Sequence, residues 1–166
     1  MEHQSAKSLA DALVELAPVL VGAFLAIIGT FSGSLLTYHL NKKEKKLLLK
    51  REKLEQLLIA SNRTEKWLSD YRNSKFLNEK TDLGINPIEE VKYLSALYFK
   101  ELHNEVVNLS AASNKYFTLI AECHVEQLKT GSIPQKFLES YKPIYAHLSE
   151  ANSTLLKEAS KLAEKL

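Results

Sequence analysis

From Leu16 to Leu40 the chain reads LAPVLVGAFLAIIGTFSGSLLTYHL, with no Asp, Glu, Lys or Arg. Asn41 and then KKEKK follow at once. A bilayer core is crossed by about 20 apolar helical residues. Pro18 to Leu40 is 23 residues, roughly 35 Å of helix at about 1.5 Å per residue. That length predicts one span and is too short for a helical hairpin. Pro18 is expected in its first turn, where a missing N–H costs nothing. Beyond the span the apolar positions keep a helical period. Leu47, Leu54, Leu57, Leu58, Ser61, Trp67, Leu68 and Tyr71 form a first stripe, interrupted near Arg63 to Glu65. Asn73 to Asn86 breaks the pattern with turn residues. Asn86-Pro87 then opens a second helix, with Glu89 and Glu90 at its positive end. Its stripe runs through Val91, Leu94, Tyr98, Leu102, Leu109, Ala112, Tyr116, Ile120 and Cys123, and Gly131 ends it. A third helix follows Pro134, with a seam of Phe137, Tyr141, Ile144, Leu148, Ala151, Leu155 and Leu162. Those steps alternate mostly between four and three, the repeat of left-handed helix pairing. Pro143 is expected to kink it.

The predicted fold class is therefore all-α: one N-terminal transmembrane helix continuing into a cytosolic antiparallel three-helix bundle. Residues 1–15 are expected to be an extracytoplasmic tail, a short amphipathic turn or loose segment with Leu9, Leu13 and Leu16 near the outer headgroups. Residues 16–40 form the span, and 41–166 the cytosolic domain, with helices near 42–73, 87–130 and 133–165. Between Gly33 and Gly84 there is neither Gly nor Pro, so the span and the first cytosolic helix are expected to run into one another.

Charge sharpens the picture. The formal net charge of +2 conceals a sum of −2 over the first 15 residues and +5 over Lys42 to Lys53. A cleaved signal peptide needs a positive leading segment, and here a single Lys stands against Glu2, Asp11 and Glu15. Basic flanks stay in the cytoplasm, so the N-terminus is expected outside and the C-terminal part inside the inner membrane. The basic collar comprises Lys42, Lys43, Lys45, Lys46, Lys50, Arg51 and Lys53, where anionic inner-leaflet lipids lie. The collar either serves as a topology signal alone or binds lipid or nucleotide specifically. The remaining residues sum to −1, which excludes a broad duplex-DNA surface. A single Cys123 excludes an internal disulfide framework, in keeping with a cytoplasmic domain.

Within the span Gly22, Ala26, Gly29 and Gly33 fall at steps of four, three and four, one helix face. Small residues let helices approach closely in lipid, so a homo-oligomer is expected, packed on that face. Thr30, Ser32, Ser34 and Thr37 either bond back to their own helix or line a polar interior.

No enzyme chemistry stands out. There is no glycine-rich phosphate loop, HExxH, CxxC or GxSxG. Cys123 and His124 are adjacent and so point about 100° apart on a helix, and a buried structural cysteine is the expectation. His3, His39, His103, His124 and His147 show no four-residue pairing, so neither metal nor cofactor is expected. Asn-x-Ser/Thr triplets at Asn62, Asn108 and Asn152 are coincidental in a cytoplasmic domain. The residues best suited to a small ligand are cations and amides beside aromatics. Arg63, Lys66, Trp67 and Arg72 lie on the first cytosolic helix, and His103, Asn104, Asn114, Lys115 and Tyr116 on the second. Cations would neutralise phosphates and aromatic rings would stack on a base. Alternatively these are solvated faces, with Trp67 filling the core.

In its layout of Leu16–Leu40 span, KKEKK collar and helical remainder, the chain resembles small bacterial membrane effectors of antiviral signalling. Among these are type III CRISPR accessory proteins that join a membrane segment to a cytosolic domain binding cyclic oligoadenylate. The resemblance covers the whole length and rests on layout, not on a motif. It implies that a cyclic oligonucleotide binds at a subunit interface and that the span bundle then rearranges and permeabilises the membrane. The rival expectation is a membrane-tethered coiled-coil adaptor, with the third-helix seam as its partner-binding surface.

Overall fold

The computed structural model describes residues 2–77 and 79–166, and side chains at residues 14, 16–19, 21–77 and 79–166. Four α-helices follow in order: α1 (Glu2–Phe76), α2 (Ile88–Tyr98), α3 (His103–Thr130) and α4 (Gln135–Ala163). A single 3-10 turn, Lys100–Leu102, joins α2 to α3. Among the described residues there is no strand, so the all-α expectation holds. The chain divides into two units, Met1–Lys46 and Leu47–Leu166.

In the first unit α1 begins at Glu2, where a short amphipathic turn or a loose tail was expected. Its Ala-, Leu- and Glu-rich opening favours helix, with no Gly or Pro before Pro18. Pro18 accordingly lies inside the helix instead of in its first turn. The side chains of Leu9 and Leu13, expected near headgroups, lie outside the described residues. Every described side chain from Leu16 to Leu40 is exposed. This is one helix long and apolar enough to cross a membrane.

The second unit holds a continuous apolar core from all four helices. Leu54, Leu57, Ala60, Thr64 and Leu68 carry the buried face of α1. Thr64 continues this stripe through the expected interruption, because its hydroxyl bonds back to Ala60 O at 2.9 Å and leaves a methyl for the core. After Phe76 the chain crosses to α2 through a loop pinned by two bonds. Trp67 Nε1 donates to Leu83 O at 2.5 Å, and the Gly84 amide, at φ +55°, donates to Asp82 Oδ1 at 3.3 Å. Asn86 Oδ1 accepts the Ile88 amide at 3.1 Å and caps α2.

The expected single helix over 87–130 is two helices. Phe99, at φ −136° and ψ 65°, interrupts it, and its ring is buried. The break lets α2 lie alongside the first turns of α3, which one straight helix could not do with itself. Gly131, at φ +74°, closes α3 with its amide bonded to Gln127 O at 2.8 Å. From there α4 returns along α3: Lys136 reaches Glu122 at 2.6 Å, and Tyr141 and Tyr145 sit beside Tyr116 with ring centroids 5.9 and 6.1 Å apart. Helix α4 is continuous through Pro143. Its proline faces solvent, where water can take the freed Glu139 carbonyl.

Candidate functional site

The first candidate surface is the uncharged segment itself. Adding a Cβ at Gly22, Gly29 or Gly33 would meet nothing within 4 Å, and Ala26 beside them is exposed. The face of small residues is therefore open along its length. Thr30 Oγ1 and Thr37 Oγ1 bond back to Ala26 O and Gly33 O at 2.7 and 2.8 Å, which satisfies both hydroxyls within the helix. Of the collar, Lys42, Lys43, Lys45, Lys46, Lys50 and Arg51 are exposed. Lys53 is half-buried, with its ammonium donating to Gln56 Oε1 at 2.9 Å.

The second candidate is the set of cations and aromatics in the Leu47–Leu166 unit, and it disperses over separate places. Arg63, Lys66 and Trp67 share a cleft of about 290 Å³ with Asp70 and the Leu83–Pro87 loop. Arg63 stands 3.5 Å from Glu90, so two acids offset the two cations there. Trp67 already stacks on Tyr71 at 5.6 Å and faces Phe117 at 6.1 Å.

Arg72 turns elsewhere. Its guanidinium donates to Tyr141 Oη and, through Nε and Nη2, to Asn73 Oδ1 at 3.1 and 2.7 Å. Tyr116 is fully buried. Burial, and then the phenol of Tyr141, raise its pKa. His103 and Asn114 line a separate, mostly apolar cleft of about 440 Å³ between α2 and α3. Asn104 and Lys115 are exposed on α3.

No family model, characterised protein or solved structure matches the chain. The chemistry of the second unit therefore rests on its own residues. Among the described ones, no three His, Cys, Asp or Glu side chains converge as a metal site would require. Cys123 is buried, and burial raises its pKa, which keeps the thiol protonated and unreactive.

What the residue types did not reveal is a polar lattice joining α1 to α4. Ser61 Oγ donates to Asn152 Oδ1 at 2.5 Å. Asn152 Nδ2 donates to Glu65 Oε2 at 3.1 Å, and Tyr145 Oη donates to Glu65 Oε1 at 3.0 Å. That bond to the carboxylate, then burial, raises the Tyr145 pKa. Asn152, one of the three glycosylation-like asparagines, has both ends of its amide engaged inside the fold. The only sequence trace of this lattice is that Ser61, Glu65 and Asn152 fall on or beside otherwise apolar stripes.

Proposed function

We propose that the chain is a single-pass protein of the bacterial inner membrane, with residues 1–15 outside, 16–40 across the bilayer and 41–166 in the cytoplasm as an antiparallel helical bundle. The observation that carries this reading is the uncharged stretch from Leu16 to Leu40, exposed at every described side chain and bounded by the basic collar. An apolar surface of that length exposed to water would be strongly unfavourable, whereas hydrocarbon accepts it. The collar sets the orientation.

On this reading the protein is a non-enzymatic membrane effector. Copies pack through Gly22, Ala26, Gly29 and Gly33. A ligand with different affinity for two arrangements of the cytosolic units shifts the span bundle into a leaky state. The resemblance to antiviral effectors makes a cyclic oligonucleotide the ligand to try first. The Arg63–Lys66–Trp67 cleft offers cations, and the α2–α3 cleft offers an apolar wall with His103 and Asn114 at its rim.

The dispersion of the nine candidate ligand residues over separate surfaces favours a second reading, a tethered adaptor whose helical unit holds a protein partner. Induced expression separates the two. An effector depolarises the host membrane when activated, and Gly29→Leu, with unchanged accumulation, abolishes that leak. An adaptor leaves membrane potential unchanged and co-purifies with a partner. Release of the intact chain by alkaline carbonate would overturn both.

A further inference from the structure

Helix α3 carries two seams of period 3.5. The inner one is Val106, Leu109, Ser113, Tyr116, Ile120 and Cys123, all buried. The outer one steps from Val107 through Ala111, Asn114 and Thr118 to Ala121, Val125 and Leu128, alternating four and three. Its members are exposed except half-buried Ala121. Val107, Val125 and Leu128 are 49%, 51% and 73% exposed. A lone solvent face has no need of apolar residues at heptad spacing, whereas a partner helix does. The seam is also grooved. The α2–α3 cleft has Ala96, Val107 and Ala111 on its wall, and a second cleft of about 520 Å³ opens at Ala121 and Val125.

We propose that this outer face of α3 binds a second copy of the chain, with the two α3 helices antiparallel. Charge selects the occupant and its register. The positions flanking the seam on one side are Asn108, Lys115, Glu122 and Lys129. When Ala111 faces Leu128 of the second copy, and Thr118 faces its Ala121, Lys115 meets the copy's Glu122. Symmetry makes that pair twice. Glu122 already holds Lys136 at 2.6 Å, and Lys115 would approach the same carboxylate from outside. Sliding the pair by one heptad sets Lys115 against Lys115. A parallel pairing brings Phe117 to Glu122 and His124 to Lys129, with no opposite charges. Rim pairs of this kind set orientation and register more than strength. In the favoured register the exposed Leu128 lands over Ala111, at the α2–α3 cleft. Within the Leu47–Leu166 unit α1 runs parallel to α3, with Tyr71 on Phe117 and Phe76 beside His124, so an antiparallel α3 pair turns the two copies' α1 helices opposite ways and is an alternative to same-way packing through residues 16–40, not an addition to it.

The test is oxidative cross-linking of the full-length chain in whichever cell fraction holds it. Ala111→Cys/Leu128→Cys is expected to form a disulfide dimer. The two positions are 17 residues apart on one helix, roughly 25 Å, too far for an internal bridge. Neither single variant should dimerise, nor the parent chain with its buried Cys123. In the double-cysteine background Lys115→Glu should cut the dimer yield at least fivefold, and adding Glu122→Lys should restore it. Efficient dimerisation of Ala111→Cys alone would mean parallel helices and overturn the proposal. So would a double-cysteine variant that stays monomeric while Trp67 fluorescence reports a folded chain.

Discussion

Asn152→Ala should cost about 3 kcal/mol, and about 1–2 kcal/mol of that cost should vanish as an independent term once Ser61 is also removed. Ser61 is fully buried and Asn152 is 5% exposed, and the bond between them is 2.5 Å. Truncating Asn152 loses that bond, a net of about 1 kcal/mol, and strands a buried hydroxyl at about 1–3 kcal/mol. It also removes one of the two donors to Glu65, at the low end of the roughly 1.5–3 kcal/mol for a charged acceptor, because that carboxylate is only partly buried. Ser61 can recover some loss by bonding back to its own helix, which sets the total near the lower sum. Ser61→Ala alone strands Asn152 Oδ1 and should cost about 1–2 kcal/mol. With both gone neither a stranded hydroxyl nor a stranded amide oxygen remains, and Glu65 has lost only the donor it loses in Asn152→Ala, so Ser61→Ala/Asn152→Ala should cost no more than Asn152→Ala. The coupling is then about 1–2 kcal/mol. The chain has a single tryptophan, Trp67, stacked on Tyr71 and bonded to Leu83 O. Its fluorescence in urea therefore follows the Leu47–Leu166 unit in the full chain. Costs that simply add, to within about 0.3 kcal/mol, would refute the lattice as a coupled element.

Two further outcomes follow from the same unit. The bond to Glu65, and then burial, raise the Tyr145 pKa above its ordinary 10.0, and Tyr71 and Tyr116 are raised too. The folded state therefore keeps protons that the unfolded state gives up, so this stability is fully present below about pH 10 and is lost as pH climbs above it; Tyr145→Phe should flatten the fall in urea midpoint between about pH 9.5 and 11. Gly131→Ala should cost about 1 kcal/mol in the same urea titration, since φ is +74° and a Cβ there meets nothing within 4 Å, leaving backbone strain as its whole cost.

Periodicity made the helices legible because burial on one face demands it. Leu148, Ala151 and Leu155 of the α4 seam are buried, with Phe137, Tyr141, Ile144 and Leu162 packed on the same core. The break at Phe99 was not legible, since no Gly or Pro marks it and the buried positions on either side of it stay in phase with one helix. Contact of α2 with the first turns of α3 rewards the interruption, and a fold-back leaves no trace in a period that runs on through it. The polar lattice was hidden by distance: Ser61 and Asn152 are 91 residues apart. Residue type misled at the candidate ligand set. Arg72 and Tyr116 have the chemistry of a phosphate clamp and a base platform, yet one is tied to Asn73 and Tyr141 and the other is buried.

A side chain's type states what it can bind, and only packing decides whether its face is free to do so. The same distinction applies to α3 in reverse. Its inner seam stood out because it is bulkier, with Leu109, Tyr116 and Ile120, while Val107, Ala111 and Val125 passed as scattered apolar positions. Only after α1, α2 and α4 have taken the inner seam does the outer one remain as an ordered surface that none of the described residues covers. The two seams differ in side-chain volume as their partners would require. Large residues fill the interior of one bundle, and small ones at the outer face let a second helix come close. The chain carries one open small-residue face in its uncharged segment and another on α3, and in both the order lies in the spacing of small side chains, not in their chemistry.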